Sequence, residues 1–319
     1  MKAKTLKLAF FGTPEFAAHQ LEFLVKKGCR IVAVITAVDK PAGRGKSITY
    51  AAVKETALKQ GLNVMQPSNL KSEAFIQSYE ALEVDCAIVV AFRMLPAAIW
   101  KKTKFGTFNL HASLLPAYRG AAPIQWAIRN GEQLTGLTTF LIDDRIDTGG
   151  ILLQETCAIE PSDNTQTLHD KLMLMGGPLI EETVLGLSAG NLTARQQPEE
   201  QTEKQAPKLT KENTQIDLEL SAKDFVNLVR SLCPYPGAKA LIKEDHQETV
   251  IKLLEVGHAP SKTIEKNHLL IEGSRVYLGL KRDSVELLRW QFPSKKPISV
   301  KDFLNGYSFK TPVFMFSTL

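Results

Sequence analysis

Asn109-Leu-His-Ala-Ser-Leu-Leu-Pro116 is the stretch whose reading decides the fold. It overlaps a run dense in aromatic and β-branched residues, Phe105-Gly-Thr-Phe-Asn-Leu-His111. Such residues suit a pleated, half-buried surface, so 105–111 is expected to be a strand. Side chains alternate faces along a strand. Asn109 and His111 therefore share one side, and Leu110 points the other way, into a core. The chain then leaves through Ala112 and Ser113 into a long connection that contains Tyr118-Arg-Gly-Ala-Ala-Pro123. Pro123 suits the first turn of a helix, where a missing N–H leaves no bond unmade. Residues 136–142 are the next expected strand, and 144–150 the loop after it, carrying Asp147-Thr-Gly149. Asp147 then falls past the end of a neighbouring strand, where open α/β sheets usually place ligands.

Working outward, 6–11 is an apolar strand, and Thr13 is placed to cap a helix beginning at Pro14. Residues 31–36 form a second buried strand, and 39–47 a charged loop with glycines and a proline. A helix over 50–60 stops at Gly61, a short strand covers 63–65, a helix 73–82 and an apolar strand 85–91. Strands alternating with helices predict an α/β fold with a doubly wound, mostly parallel sheet. There is no Gly-x-Gly-x-x-Gly run and so no dinucleotide fingerprint.

A helix over 170–188 would close a first domain spanning 1–189. Residues 190–207 turn to Gln, Glu, Thr and Lys with few apolar groups, the composition of an exposed linker. A second domain would span 208–319. It opens with an amphipathic helix at 222–232, ended by Cys233-Pro-Tyr-Pro-Gly237. Short strands at 238–242, 250–256, 269–271, 276–280 and 285–290 then suggest a small barrel or sandwich.

The 319 residues suit two domains, and 44% hydrophobic content supplies ordinary cores. With no apolar run of ~18 residues, no membrane-spanning helix is expected. The four cysteines lack Cys-x-x-Cys spacing, which gives no zinc or redox signature and points to reduced thiols in a cytoplasmic protein. Cys29, Cys86 and Cys157 are expected in the core. The net charge of +5 is a weak pointer to nucleic acid. Residues 209–319 hold 16 Lys and Arg against 13 Asp and Glu, too slight an excess to decide a partner. Phe92, Trp100, Trp126 and Trp290 are read as core aromatics before stacking residues.

A carboxamide, an imidazole and a carboxylate suit acyl or formyl transfer. An Asn donates to a developing oxyanion, and losing one such donor typically costs roughly 10²–10³ in rate. A His donates to the same oxygen or shuttles a proton. An Asp orients or charges the His, or orders a water.

The strings Asn109-Leu-His111-Ala-Ser-Leu-Leu-Pro116, Arg119-Gly120-Ala-Ala-Pro123 and Asp147-Thr-Gly149 together resemble the folate-dependent formyltransferases, most closely those that act on an initiator tRNA. The likeness continues in Phe11-Gly-Thr-Pro-Glu-Phe16, Pro41-Ala-Gly-Arg-Gly-Lys46 and Lys208-Leu-Thr-Lys-Glu212, and covers nearly the whole chain. It implies a Rossmann-like formyltransferase domain followed by a smaller OB-like β-barrel that contacts tRNA. It implies 10-formyltetrahydrofolate as donor, methionyl initiator tRNA as acceptor, no metal, no membrane and a monomer. Asn109, His111 and Asp147 would be catalytic. Ser113, Leu114, Leu115 and Pro116, with Met94 and Leu95, would contact the folate. Lys40, Arg44 and Lys46 would contact tRNA.

The chain departs from the family at Ala91-Phe-Arg-Met-Leu-Pro96, one residue shorter than the usual Ala-Tyr-Gly-x-Ile-Leu-Pro. Arg93 there meets either the donor's glutamate tail or solvent. Alternatives are a formyltransferase with a small acceptor such as glycinamide ribonucleotide or an amino-sugar nucleotide, a formyl-folate hydrolase, and a non-enzymatic RNA-binding module.

Overall fold

A computed structural model describes residues 5–42, 47–198, 204–259, 262–310 and 312–318. In chain order the elements begin β1 (Leu8–Gly12), α1 (Glu15–Lys26), β2 (Ile31–Ile35), β3 (Lys40–Ala42), β4 (Ser47–Thr49), α2 (Ala52–Lys59), β5 (Val64–Met65), α3 (Glu73–Glu80), β6 (Cys86–Val90), α4 (Ala97–Trp100) and β7 (Thr107–His111). They continue β8 (Arg119–Gly120), α5 (Pro123–Arg129), β9 (Leu134–Leu141), β10 (Ile151–Ala158), α6 (Thr165–Ala189) and β11 (Gln205–Ala206). The last group is α7 (Ala222–Leu232), β12 (Ala238–Glu244), β13 (Gln247–His258), β14 (His268–Glu272), β15 (Arg275–Gly279), β16 (Ser284–Gln291), β17 (Ile298–Ser299), α8 (Val300–Leu304) and β18 (Val313–Phe316).

Two compact units result. The first comprises Met1–Gly120, Leu134–Ala158 and His169–Gln205; the second comprises Ala121–Gln133, Ile159–Leu168 and Ala206–Leu319. A single cut between 189 and 208 therefore does not describe the packing, because two earlier segments join the C-terminal residues. Nor is 190–198 simply exposed. Arg195 and Ile151 exchange two backbone hydrogen bonds of 2.8 Å, and Gln197 is buried.

The first unit holds a seven-stranded sheet in the order β5-β2-β1-β6-β7-β9-β10. The five strands from β5 to β7 run parallel. β9 and β10 run antiparallel at the far edge. β1 and β6 are buried along their whole length, as strands covered on both faces must be. Pro14, not Thr13, occupies the cap position of α1, and no side chain caps that helix. The charged segment 39–47, expected as a loop, includes one strand of an antiparallel pair, β3 with β4.

Among the described residues, α6 alone is long and apolar enough to cross a membrane, although no such run was expected from the sequence. Packing covers part of its apolar surface, while Leu174 and Leu185 stay exposed. Leu172, Ile180 and Val184 are buried, Gly176 lies against Leu110 and Gln20, and Gly177 against Phe23. The cysteines are free thiols; Cys86 and Cys233 are buried, whereas Cys29 and Cys157 are half-buried rather than in the core.

In the second unit β13-β12-β18-β14-β15-β16 form a sheet that closes through a β13–β16 pairing, with β17 added to β16. This is a six-stranded, OB-like barrel. Its core includes Ala240, Leu253, Leu278, Leu287 and Trp290. α7 packs Phe225, Leu228, Val229 and Leu232 into the same core, and its Ser221 cap accepts from the Asp224 N–H. Arg230 donates to the carbonyls of Glu160, Pro161 and Asp163, which ties the 159–168 segment to this helix. Trp126 donates to the Pro207 carbonyl, and Trp290 is fully buried.

Candidate active site

The site is built on β7. Leu110 is buried toward α6, while Asn109 and His111 share the opposite face, as the period of a strand requires. His111 is 7% exposed and Asn109 is half-buried. Among the described residues no group bonds the Asn109 carboxamide, so both of its N–H donors are available.

β9 pairs antiparallel with β7, placing Leu141 opposite Phe108 and Thr138 opposite His111. The loop after β9 therefore leaves at the Phe108 end of β7, and Asp147 lies in it, past the end of the neighbouring strand. It folds back far enough that Asp147 Oδ2 lies 3.8 Å from His111 Nδ1. Asp147 is thus brought to His111, the last residue of β7, whose face also carries Asn109.

His111 Nε2 lies 2.9 Å from the Tyr118 carbonyl oxygen. A carbonyl only accepts, so Nε2 carries the proton and a neutral ring leaves Nδ1 as an acceptor toward Asp147. Protonation of Nδ1 converts that approach into an ion pair. Asp147 Oδ2 also accepts from the Gly120 N–H at 2.9 Å. Asp147 and Tyr118 both have left-handed backbone, φ 55° and 62°. Non-glycine residues adopt this region only when their surroundings hold them there, and such positions cluster at functional sites.

Those surroundings are specific. Asp143 accepts from the Arg145 N–H and from the Thr148 hydroxyl, which shapes the loop. Gln197 donates from Nε2 to the carbonyls of Asp147 (3.0 Å) and Gly149 (2.7 Å). Its Oε1 accepts from Arg119 Nε (3.1 Å) and Nη2 (2.6 Å). A cavity of about 260 Å³ lies against this turn, lined by Arg119, Asp143, Arg145 and Gln197 among others. It is not lined by Asn109, His111 or Asp147, so it is a neighbour of the trio and not its centre.

The expected folate contacts divide. The Ser113 side chain is fully buried and donates to the Ala117 carbonyl. Leu115 packs with Phe140 and Ile151. Its N–H donates to Thr138 Oγ1, and its carbonyl accepts from Gln154 Nε2. Thr138 Oγ1 in turn donates 2.6 Å to the Ser113 carbonyl. Ser113 and Leu115 are therefore committed inward and do not present side chains to a ligand; Leu114 and Pro116 are half-buried. Leu95 is buried, whereas Met94 is 64% exposed. Arg93 is exposed to solvent, as one of its two expected placements had it, but it is not free. Its guanidinium donates to the carbonyls of Pro67 and Ser68 and lies 5.7 Å from the Phe92 ring centre. It braces the shortened segment.

Of the expected tRNA contacts, Arg44 and Lys46 lie outside the described residues, and for Lys40 only the backbone, in β3, is described. Just before β3, Asp39 accepts from Lys54 and from Gln66 at 2.8 Å. These bonds, Lys54 first, hold the Asp39 carboxyl below the usual carboxylate range.

The sequence alone did not single out Gln197, Asp143, Thr138 or Gln154. All four act by bonding backbone or loop groups, and nothing in local spacing marks such residues. Arg119 was visible only as part of a longer string.

A doubly wound sheet whose β7 face gathers an Asn, a His and an Asp, followed by an OB-like barrel, defines a formyltransferase-type enzyme. Comparison with known proteins agrees. The formyl transferase family profile matches residues 6–184, and the formyl transferase C-terminal domain profile matches 208–308. The chain belongs to the formyl transferase family. It is 46% identical over 310 residues to the methionyl-tRNA formyltransferase of Flavobacterium johnsoniae, covering 95% of this chain and 97% of that one. It is 42% identical over 318 residues to the enzyme of the same name from Bacteroides fragilis, covering 96% and 97%. The fold is similar to an N-formyltransferase from Helicobacter canadensis solved with folinic acid and dTDP-3-aminofucose, at TM-score 0.65 and 19% identity, covering 90% of this chain and 100% of that one.

Proposed function

We propose that this chain transfers the formyl group of 10-formyltetrahydrofolate to the α-amine of methionyl initiator tRNA, in the cytoplasm, for translation initiation. The convergence of Asn109, His111 and Asp147 on one face of β7 carries the catalytic part of this reading. The names of the full-length relatives support the choice of acceptor.

The donor supplies a formyl carbonyl activated on the folate N10, the bridging nitrogen outside the pterin ring. The amine nitrogen bonds to the formyl carbon, the bond from that carbon to the folate nitrogen breaks, and the amine proton passes to the departing nitrogen. The uncommitted Asn109 carboxamide fits the oxygen of such a carbonyl, where charge builds as the amine adds. His111, protonated at Nδ1 beside Asp147, donates to the same oxygen. Asp147 orients His111 and accepts the amine proton, directly or through water. Met94 and the backbone of 92–96 would border the folate, with Leu114 and Pro116 on the adjoining loop. Ser113 and Leu115 would act through the position of that loop. Arg44, Lys46 and Lys40 would meet tRNA phosphates, whose contacts position rather than specify.

The test supplies labelled formyl donor with methionyl initiator tRNA, methionyl elongator tRNA, an amino-sugar nucleotide, glycinamide ribonucleotide or water alone. Label is expected on the initiator tRNA, with at least tenfold preference over each other acceptor. Label on a small amine, or release of formate without acceptor, contradicts the proposal.

A further inference from the structure

We infer that Gln197 is a positioning residue that sets the conformation of Asp147 for formyl transfer, an inference that rests on the proposed role of Asp147. Gln197 lies in a polar stretch that composition alone would leave in solvent, yet it is 5% exposed. Its amide is fully satisfied: two bonds are accepted from Arg119 and two are donated to the carbonyls of Asp147 and Gly149. A buried amide with all four sites filled is a specified contact rather than a gap filler.

Both supports of the Asp147 carboxylate meet at this side chain. One is the backbone of the turn itself, with its left-handed φ of 55° at Asp147. Through its carbonyls Gln197 holds both sides of that turn. The other is the Gly120 N–H, which donates to Asp147 Oδ2, and Gly120 follows the arginine that Gln197 engages. The paired backbone of Arg195 and Ile151 fixes the approach of the segment. The residue must both accept from a guanidinium and donate to two carbonyls. A glutamate only accepts, an asparagine is one methylene short, and methionine offers volume without either bond.

The experiment measures kcat, both KM values and the pH profile of kcat for Gln197→Met and Gln197→Glu, each alone and combined with Asp147→Asn. A misplacement of about 1 Å can cost about 10² in rate, so kcat is expected to fall about 10- to 100-fold in both single variants. Both KM values stay within about twofold and the pH profile shifts, because the change reaches the reacting groups and not the binding of either substrate. In the Asp147→Asn background, adding either substitution changes the residual rate by less than about twofold, since residues that act through one another are not additive. Gln197→Glu keeps the Arg119 pairing and carries the test if Gln197→Met does not fold. A wild-type kcat in Gln197→Glu, raised KM values with unchanged kcat, or a full additional loss in the Asp147→Asn background overturns the inference. Full activity in Asp147→Asn alone overturns the role of Asp147 instead, and with it the premise.

Discussion

At the scale of single residues, the two parts of the site differ in how much the sequence reveals. Asn109 and His111 are two apart on a strand, and a period of two alone puts them on one face. Asp147 needed a motif, because its approach to His111 depends on the loop after β9 folding back toward the last residue of β7. Gln197 carried no signal, since its partners, two backbone carbonyls and the Arg119 guanidinium, come from elsewhere in the chain. Arg93, unmatched by the family pattern, is explained by two carbonyls that only the folded chain brings near it. Gly149 tests the rigidity of this arrangement. A Cβ there would stand 1.6 Å from the Leu141 carbonyl oxygen, so the turn beside Asp147 must shift to admit one. Gly149→Ala is expected to lower kcat/KM for transfer at least about tenfold and to destabilise the fold by more than about 1 kcal/mol. Gly306→Ala, where nothing lies within 4 Å, serves as control and is expected to leave both unchanged. Steady-state kinetics and thermal unfolding of the two variants decide the matter.

At the scale of elements, strongly periodic segments were legible. The helix expected at 222–232 is α7, and Pro123 opens α5 as its missing N–H predicts. The five strands expected between 238 and 290 all exist, most of them longer than their apolar centres suggested. β18 was not legible. Val313-Phe-Met-Phe316 is four residues without alternation, and it becomes a strand because β12 and β14 each offer it an open edge. The same holds for β3 and β4, which pair with each other in a segment whose composition is that of a loop. Strand direction was likewise hidden. Nothing in 134–141 distinguishes a parallel from an antiparallel neighbour of β7, yet that choice decides where the Asp147 loop begins. The Ser113–Pro116 loop shows a further limit. Only the family resemblance marked it as a folate contact, and Thr138 and Gln154 bond its backbone and turn much of it inward.

At the scale of the whole molecule, the barrel unit carries a charge arrangement with a clear pH consequence. Glu219 accepts from Lys266 and, at 2.6 Å, from Lys281; these bonds pull its pKa from the usual 4.5 down to about 2. A carboxyl depressed on folding adds stability that is present above its unfolded pKa and lost as pH falls through the folded one. The window is therefore about pH 4.5 down to about 2. Glu219→Gln is expected to flatten the loss of stability across that window and to leave its slope near neutral pH unchanged. Urea unfolding followed through the fluorescence of buried Trp290, with Trp100 and Trp126 replaced by Phe, checks this. A wild-type acid slope in Glu219→Gln would contradict it.

The most direct test of the account is single-turnover formyl transfer to methionyl initiator tRNA by Asn109→Ala, His111→Ala and Asp147→Ala, with binding of the folate and folding measured on the same samples. Each variant is expected to remain folded, to bind the folate within about threefold of wild type, and to lose at least about 10² in transfer rate, as removal of a group acting on the developing charge requires. Near wild-type transfer in any one of the three would contradict the role given to that residue.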